Sequence, residues 1–304
     1  RRSTCGNNLR QIGIAIQGFD SVQGALPPGF AVTTGNGDPA WGWGTYVLPG
    51  MDQADLFTKL NPSGRGLNAL FKSGAAATDV ALLQTVIPSY RCPSDGTPAL
   101  NSLCRFGAGH YAVATSNYVA SAGAHSPPSS SQCIDNVSTN TGSGLSCCAL
   151  MPDVYNAPYV ETRLSPPKMS DPGGAFVGTM ATAVGTPAIG ITTGSVLDGL
   201  SNTIAAGERA DDNYAAAWAG AGYGSTYANE GTARAVGRPQ FYVNWNYIAS
   251  GSPENQGKGF SSNHTIGVQF VFLDGSVRYV SERIPATTLI QLANRRDSKA
   301  PSYE

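Results

Sequence analysis

Cysteines, histidines and one cluster of carboxylates are the side chains here with chemistry to offer, and their spacing decides which kind. Cysteines stand at 5, 92, 104, 133, 147 and 148, and histidines at 110, 125 and 264. No C-x-x-C pair occurs, so the usual ligand spacing of a zinc site is absent. Hard oxygen ligands gather at Glu208, Asp211 and Asp212, beside Asn213. They make the best calcium candidate, with a solvated acidic loop as the competing reading. Glu208 precedes Arg209, which predicts an ion pair at a strand end. His264 and Asp274 flank a strand-length segment and offer a catalytic dyad, although Asp274 with Gly275 also has a turn role. Asp198, in Leu-Asp-Gly-Leu-Ser-Asn, fits an Asx-type turn better than a metal ligand. Trp41, Trp43, Trp218 and Trp245 could form a sugar platform, but packing in a core or subunit interface is the simpler account. The G-x-S-x-G, H-E-x-x-H, P-loop and EF-hand motifs are all missing. The sequence therefore predicts no enzyme, no catalytic residue and no cofactor beyond that calcium candidate.

The cysteines read better as disulfides. Their number is even, lysine is scarce and the chain is rich in loops, all of which fit an oxidising compartment. Cys147 and Cys148 are adjacent and cannot easily bridge each other, so each pairs elsewhere, with Cys104 and Cys133 the natural partners. That leaves Cys5 with Cys92. Such a bond closes a long loop, a constraint worth about 3–5 kcal/mol by chain entropy.

These residues must be positioned by the elements around them. Leu9, Ile12, Ile16 and Phe19 recur at helical spacing and predict an amphipathic helix over the first nineteen residues, with those four on its packing face. Ile14 and Ala15 should point elsewhere. Arg1 and Arg2 carry the wrong charge for a helix start, which predicts a helix that begins upstream of Arg1; a late start capped by Ser3, Thr4 or Asn7 is the alternative. Pro27-Pro28-Gly29 then stops the helix. Short helices are expected over 52–60, 75–85 and 287–296, and strands over 116–123, within 196–209, and over 240–248. The clearest strand pair alternates Val268, Phe270 and Phe272 with Gln269, Val271 and Leu273, turns at Asp274-Gly275, and continues through Val277, Tyr279 and Val280. Residues 124–175 are rich in Ser, Pro and Gly, hold three cysteines, and read as an irregular insertion stapled by disulfides. The fold class is α+β, a helix followed by antiparallel strands.

Composition narrows the function classes. Charged residues are 13% of the 304, about half the usual ~25%, and the net charge is -1. No basic stripe supports nucleic-acid binding. Low charge favours close packing of copies and suits a secreted or surface protein.

Taken in order, the landmarks resemble a known family. They are Arg1-Arg2-Ser3-Thr4-Cys5 through Ala15, Leu26-Pro27-Pro28-Gly29, Trp43 through Pro49, Arg91-Cys92-Pro93-Ser94-Asp95, Ser116-Asn117-Tyr118-Val119-Ala120, Asp198-Gly199-Leu200-Ser201-Asn202 with Glu208, and Phe272 through Val280. The set is similar to the planctomycete pilin-like proteins that carry a prepilin-type cleavage and methylation segment and an uncharacterised C-terminal domain. The chain departs from that pattern at His264-Thr265-Ile266-Gly267, where the family often has His-Pro-Gly-Gly, so no ligand role is carried over to His264.

The resemblance implies a type IV pilin or pseudopilin architecture. Residues 1–20 would be the C-terminal half of the pilin-type helix and 21–304 the globular domain. An upstream apolar half would sit in the membrane before assembly, as a span of ~20 residues does. The implied function is a structural subunit of an extracellular filament or pseudopilus. Its partners would be further copies of itself, a prepilin peptidase and the assembly machinery, and its place the cell surface after export through the inner membrane. The alternative is a membrane-tethered receptor for a glycan or small solute on the same scaffold.

Overall fold

A computed structural model describes residues 1–32, 40–70, 77–106, 111–123, 173–176, 178–180, 188–210, 216–221, 236–237, 243–244 and 259–296. The chain opens with α1 (Arg2–Gln23). Cys5, Leu9, Ile12, Gly13, Ala15 and Ile16 form its buried face, and Phe19 lies half-buried, edge-on to the Tyr46 ring at 6.4 Å. Gly24 ends the helix in the left-handed conformation (φ 72°), its N–H donating to the Asp20 carbonyl at 2.8 Å. The first turn has neither a side-chain cap nor an acidic residue. Arg2 instead lays its guanidinium over the Tyr279 ring, 5.1 Å from the centroid, a contact worth about 0.5–1 kcal/mol at an exposed site.

The helix rests on a five-stranded sheet. Its strands, in spatial order, are β10 (Val236–Gly237), β5 (Tyr118–Ser121), β7 (Ile204–Glu208), β11 (Gly267–Phe272) and β12 (Val277–Ser281). All pairs are antiparallel except β10 with β5. Every residue of β11 is buried because both of its faces are covered. Val271 joins the core under α1, whereas Val268, Phe270 and Phe272 join Phe260 and the Leu289 and Leu292 side chains of a C-terminal helix, Ala286–Ala293. That is the alternation predicted for this strand, with each set taking its own face. Gly13 lets α1 approach closely: a Cβ there would stand 2.7 Å from Val271 Cγ2.

The β11–β12 hairpin turns through three residues, 273–275, rather than through Asp274-Gly275 alone. Gly275 N–H donates to the Phe272 carbonyl and sits at φ 83°, the usual close of a three-residue loop. Two further sheets complete the described strands. One orders β6 (Gly178–Met180), β1 (Phe30–Val32), β2 (Ala40–Gly42) and β9 (Gly220–Ala221); the other orders β3 (Leu100–Phe106), β4 (Tyr111–Ser116) and β8 (Ala216–Ala217). Short helices follow at α2 (Trp43–Tyr46), α3 (Ala54–Leu60) and α4 (Ala77–Leu83), so the C-terminal helix is α5. The architecture is α+β.

Three expectations change. Ala15 is buried, packed against Gly50, so of the Ile14–Ala15 pair only Ile14 faces outward, at 59% exposure. Within the strand expected over 240–248, Val243 and Asn244 form a turn, with Asn244 at φ 58°. The strand expected within 196–209 is confined to β7, because a 3-10 turn over Leu200–Asn202 occupies its start. The insertion lies almost wholly outside the described residues. Among the described residues, no helix is long and apolar enough to cross a membrane.

Candidate functional site

Four chemically capable side chains meet beneath the N-terminal end of α1. Cys5 comes from that helix and Cys92 from the loop after a 3-10 turn at Pro88–Tyr90. Glu208 is the last residue of β7, and His264 lies just before β11. Cys5 and Cys92 form a disulfide across 87 positions, with their Cα atoms 5.2 Å apart. Glu208 Oε1 lies 3.1 Å from His264 Nε2, with the two side chains 2% and 6% exposed. Cys92 Sγ lies 3.8 Å from that same oxygen and 3.7 Å from that same nitrogen. One ligand atom from each of the four residues falls within 4.8 Å of all the others.

Backbone and side-chain bonds hold each member. The Gln269 N–H donates to Glu208 Oε2 at 2.8 Å, so both carboxylate oxygens are occupied. The Cys92 N–H donates to Asn117 Oδ1 at 2.9 Å, and the Asn117 amide in turn donates to Asp95. Asn117 sits where β4 bends into β5, and its backbone bonds both ways, to the Tyr90 carbonyl and from the Arg209 N–H. Ser262 Oγ accepts the His264 N–H at 3.1 Å. Tyr118 donates its hydroxyl to the Cys5 carbonyl at 3.3 Å. Burial pushes the Tyr118 phenol well up from its ordinary value; the Glu208 charge adds to this and the Asn8 hydrogen bond opposes it. A cleft of roughly one water's volume opens beside the cluster, lined by Asp95, Asn117, Glu208 and Ser261 among others.

The other predicted residues are placed as follows. Glu208 gives its carboxylate to His264 and Gln269, not to Arg209, because neighbours along a strand point to opposite faces. Arg209 Nε donates to the Gly259 carbonyl at 3.0 Å. Asp211 and Asp212 lie outside the described residues, so of the calcium candidates only Glu208 is described, and it is buried. His264 and Asp274 sit at opposite ends of β11, whose six residues span about 20 Å. Asp274 Oδ1 instead accepts the Ser276 N–H (2.9 Å) and hydroxyl (2.6 Å) in the hairpin turn, so the dyad is excluded. Trp41, Trp43 and Trp218 are buried, with the Trp41 and Trp218 indoles donating to the Arg65 and Thr85 carbonyls. They cannot form a surface sugar platform, and Trp245 lies outside the described residues. So do Cys133, Cys147, Cys148 and the Cys104 side chain.

Sequence reasoning found Cys5, Cys92, Glu208 and His264 separately but not together. Only the pairing of Cys5 with Cys92 pointed toward the group, by bringing two of its four segments into contact.

The class defined by these features is an α+β domain whose first helix is joined to the loop at Cys92 by a buried disulfide beside a buried Glu–His pair. The chain belongs to the family described as Protein of unknown function (DUF1559), whose model matches residues 1–287. No curated protein and no solved structure matches it.

Proposed function

We propose that this protein is a structural subunit of an extracellular pilus-like filament or pseudopilus, with α1 as its assembly helix. The observation that carries the reading is the lengthwise division of α1. One face is fixed to the domain by the Cys5–Cys92 disulfide, by Leu9, Ile12 and Ile16, and by Gln17 Nε2 on the Leu273 carbonyl at 3.1 Å. The opposite face carries Asn7, Arg10, Gln11, Ile14, Gly18 and Val22 outward, with Ile14 59% and Val22 78% exposed. A helix held rigidly on one side and left open on the other suits packing against copies of itself. The order of motifs shared with pilin-like proteins supports the same reading. On it, the protein is processed by a prepilin peptidase and reaches the cell surface through the inner membrane.

The glycan- or solute-binding alternative draws less support, because three of its four tryptophans are in the core and the cleft at the cluster has room for little more than water. Mass spectrometry of the mature N-terminus from native material tests the filament reading. A methylated residue some tens of positions before Arg1 is expected; a native start at Arg1 would contradict it.

A further inference from the structure

The Cys5–Cys92 disulfide holds two sulfurs against an imidazole and a carboxylate, in the geometry of a metal centre. We propose that when this disulfide is reduced, Cys5, Cys92, Glu208 and His264 become the four ligands of a tetrahedral zinc site.

The distances carry the argument. Bonds of about 2.3 Å to sulfur and about 2.0–2.1 Å to nitrogen and oxygen set the edges of a zinc tetrahedron at about 3.3–3.8 Å. Three edges of the cluster are already near these lengths: His264 Nε2 to Glu208 Oε1 at 3.1 Å, Cys92 Sγ to His264 Nε2 at 3.7 Å, and Cys92 Sγ to Glu208 Oε1 at 3.8 Å. The largest change required is separation of the two sulfurs, which breaking their bond permits. Support beyond the ligands is also in place. The Gln269 N–H fixes the second oxygen of Glu208, so Oε1 is presented as a single ligand, and Asn117 fixes the Cys92 backbone. Two thiolates with one imidazole suit zinc and not calcium or magnesium, which take oxygen ligands. All four side chains are buried or nearly so, which closes the site as in structural zinc centres.

The chemistry balances. A dithiol reductant gives two electrons and two protons to the disulfide and becomes a cyclic disulfide itself, leaving Cys5 and Cys92 as thiols. Zn²⁺ then displaces the two thiol protons to water. The disulfide ties α1 to the Cys92 loop, and the metal would extend that tie to Glu208 at the end of β7 and to His264 before β11.

The test uses the whole chain with Cys104, Cys133, Cys147 and Cys148 replaced by Ser, reduced with a phosphine and titrated anaerobically with Co²⁺ and then Zn²⁺. Expected are one metal per chain, intense tetrahedral cobalt absorption with a thiolate charge-transfer band, and displacement of Co²⁺ by Zn²⁺. Glu208→Gln and His264→Ala should each weaken binding by about tenfold or more, by analogy with the loss that removing even an outer-shell partner causes. If the four serines prevent folding, the wild-type chain serves, and His264→Ala should then bind one of its metals about tenfold or more weakly than its parent. If reduction unfolds the domain, Zn²⁺ should restore the native circular dichroism. Overturning results are a reduced chain that binds no metal at this site, binding equal in the parent and the His264→Ala and Glu208→Gln variants, or an unfolded reduced chain that zinc does not refold.

Discussion

Glu208 and His264 stand 56 positions apart in sequence and 3.1 Å apart in space, buried together at the disulfide that ties α1 to the Cys92 loop. The pair joins the end of β7 to the entry of β11, and the Gln269 N–H on the second carboxylate oxygen closes the link. Removing one partner leaves a buried polar atom of the other without its hydrogen bond. His264→Ala should therefore lower unfolding free energy by about 1–3 kcal/mol, read by urea denaturation of the oxidised protein. An unchanged midpoint would show that the pair adds nothing to the fold.

The disulfide itself should matter more. Its loop of 87 positions corresponds to about 4–5 kcal/mol by chain entropy. The Cys5→Ser/Cys92→Ser double variant should lose an amount of that order in metal-free denaturation, and hydrogen exchange should show α1 opening before the sheet.

Gly13 and Val271 set how closely α1 lies on β11. Gly13→Ala places a Cβ 2.7 Å from Val271 Cγ2, so the helix or the strand must shift, at about 1–3 kcal/mol. Val271→Ala in the same chain should relieve part of that cost. A double-mutant cycle measures the coupling, and purely additive losses would contradict the contact.

The two faces of α1 should separate stability from assembly. Ile12→Ala, on the buried face, should cost about 2–5 kcal/mol. Ile14→Asp, on the exposed face, should change stability by no more than about 0.5 kcal/mol yet reduce filament yield in the cells that make the protein. Normal filaments from Ile14→Asp would remove that residue from the assembly surface.

Buried phenols give the fold an alkaline limit. Burial raises the pKa of Tyr46, Tyr90 and Tyr118 above the ordinary phenol value. The folded state then holds these protons more tightly than the unfolded chain. Stability from the three is fully present below pH about 10 and is lost as pH rises toward their folded values, at about 1.4 kcal/mol per tyrosine per pH unit. The part of the tyrosinate absorbance that these three contribute should therefore appear together with loss of near-ultraviolet circular dichroism above pH about 10. Ionisation of all tyrosines without unfolding would contradict their burial.

Local pattern revealed much of the scaffold and little of the cluster. The helical spacing of Leu9, Ile12 and Ile16 and the alternation along Val268–Leu273 are short-range signals, and the elements they mark formed where expected. The segment 240–248 alternates just as plainly, yet Val243 and Asn244 turn. Alternation records which residues prefer burial, not the backbone conformation each one takes. His264 and Asp274 offer a dyad in the sequence because they flank a strand-length segment, but that extended strand carries them apart. Its true partner, Glu208, is adjacent only because β7 and β11 pair through Phe270 and Gly207. That register arises from tertiary packing and has no sequence signature of its own.

Cryo-electron microscopy of filaments sheared from the surface of the cells that make this protein tests the central claim most directly. The account predicts helical filaments in which the Arg2–Gln23 helices run along the interior and turn the Ile14 face toward neighbouring subunits. Preparations that contain this chain only as dispersed monomers in membrane extracts, with no filament carrying it, would contradict the account.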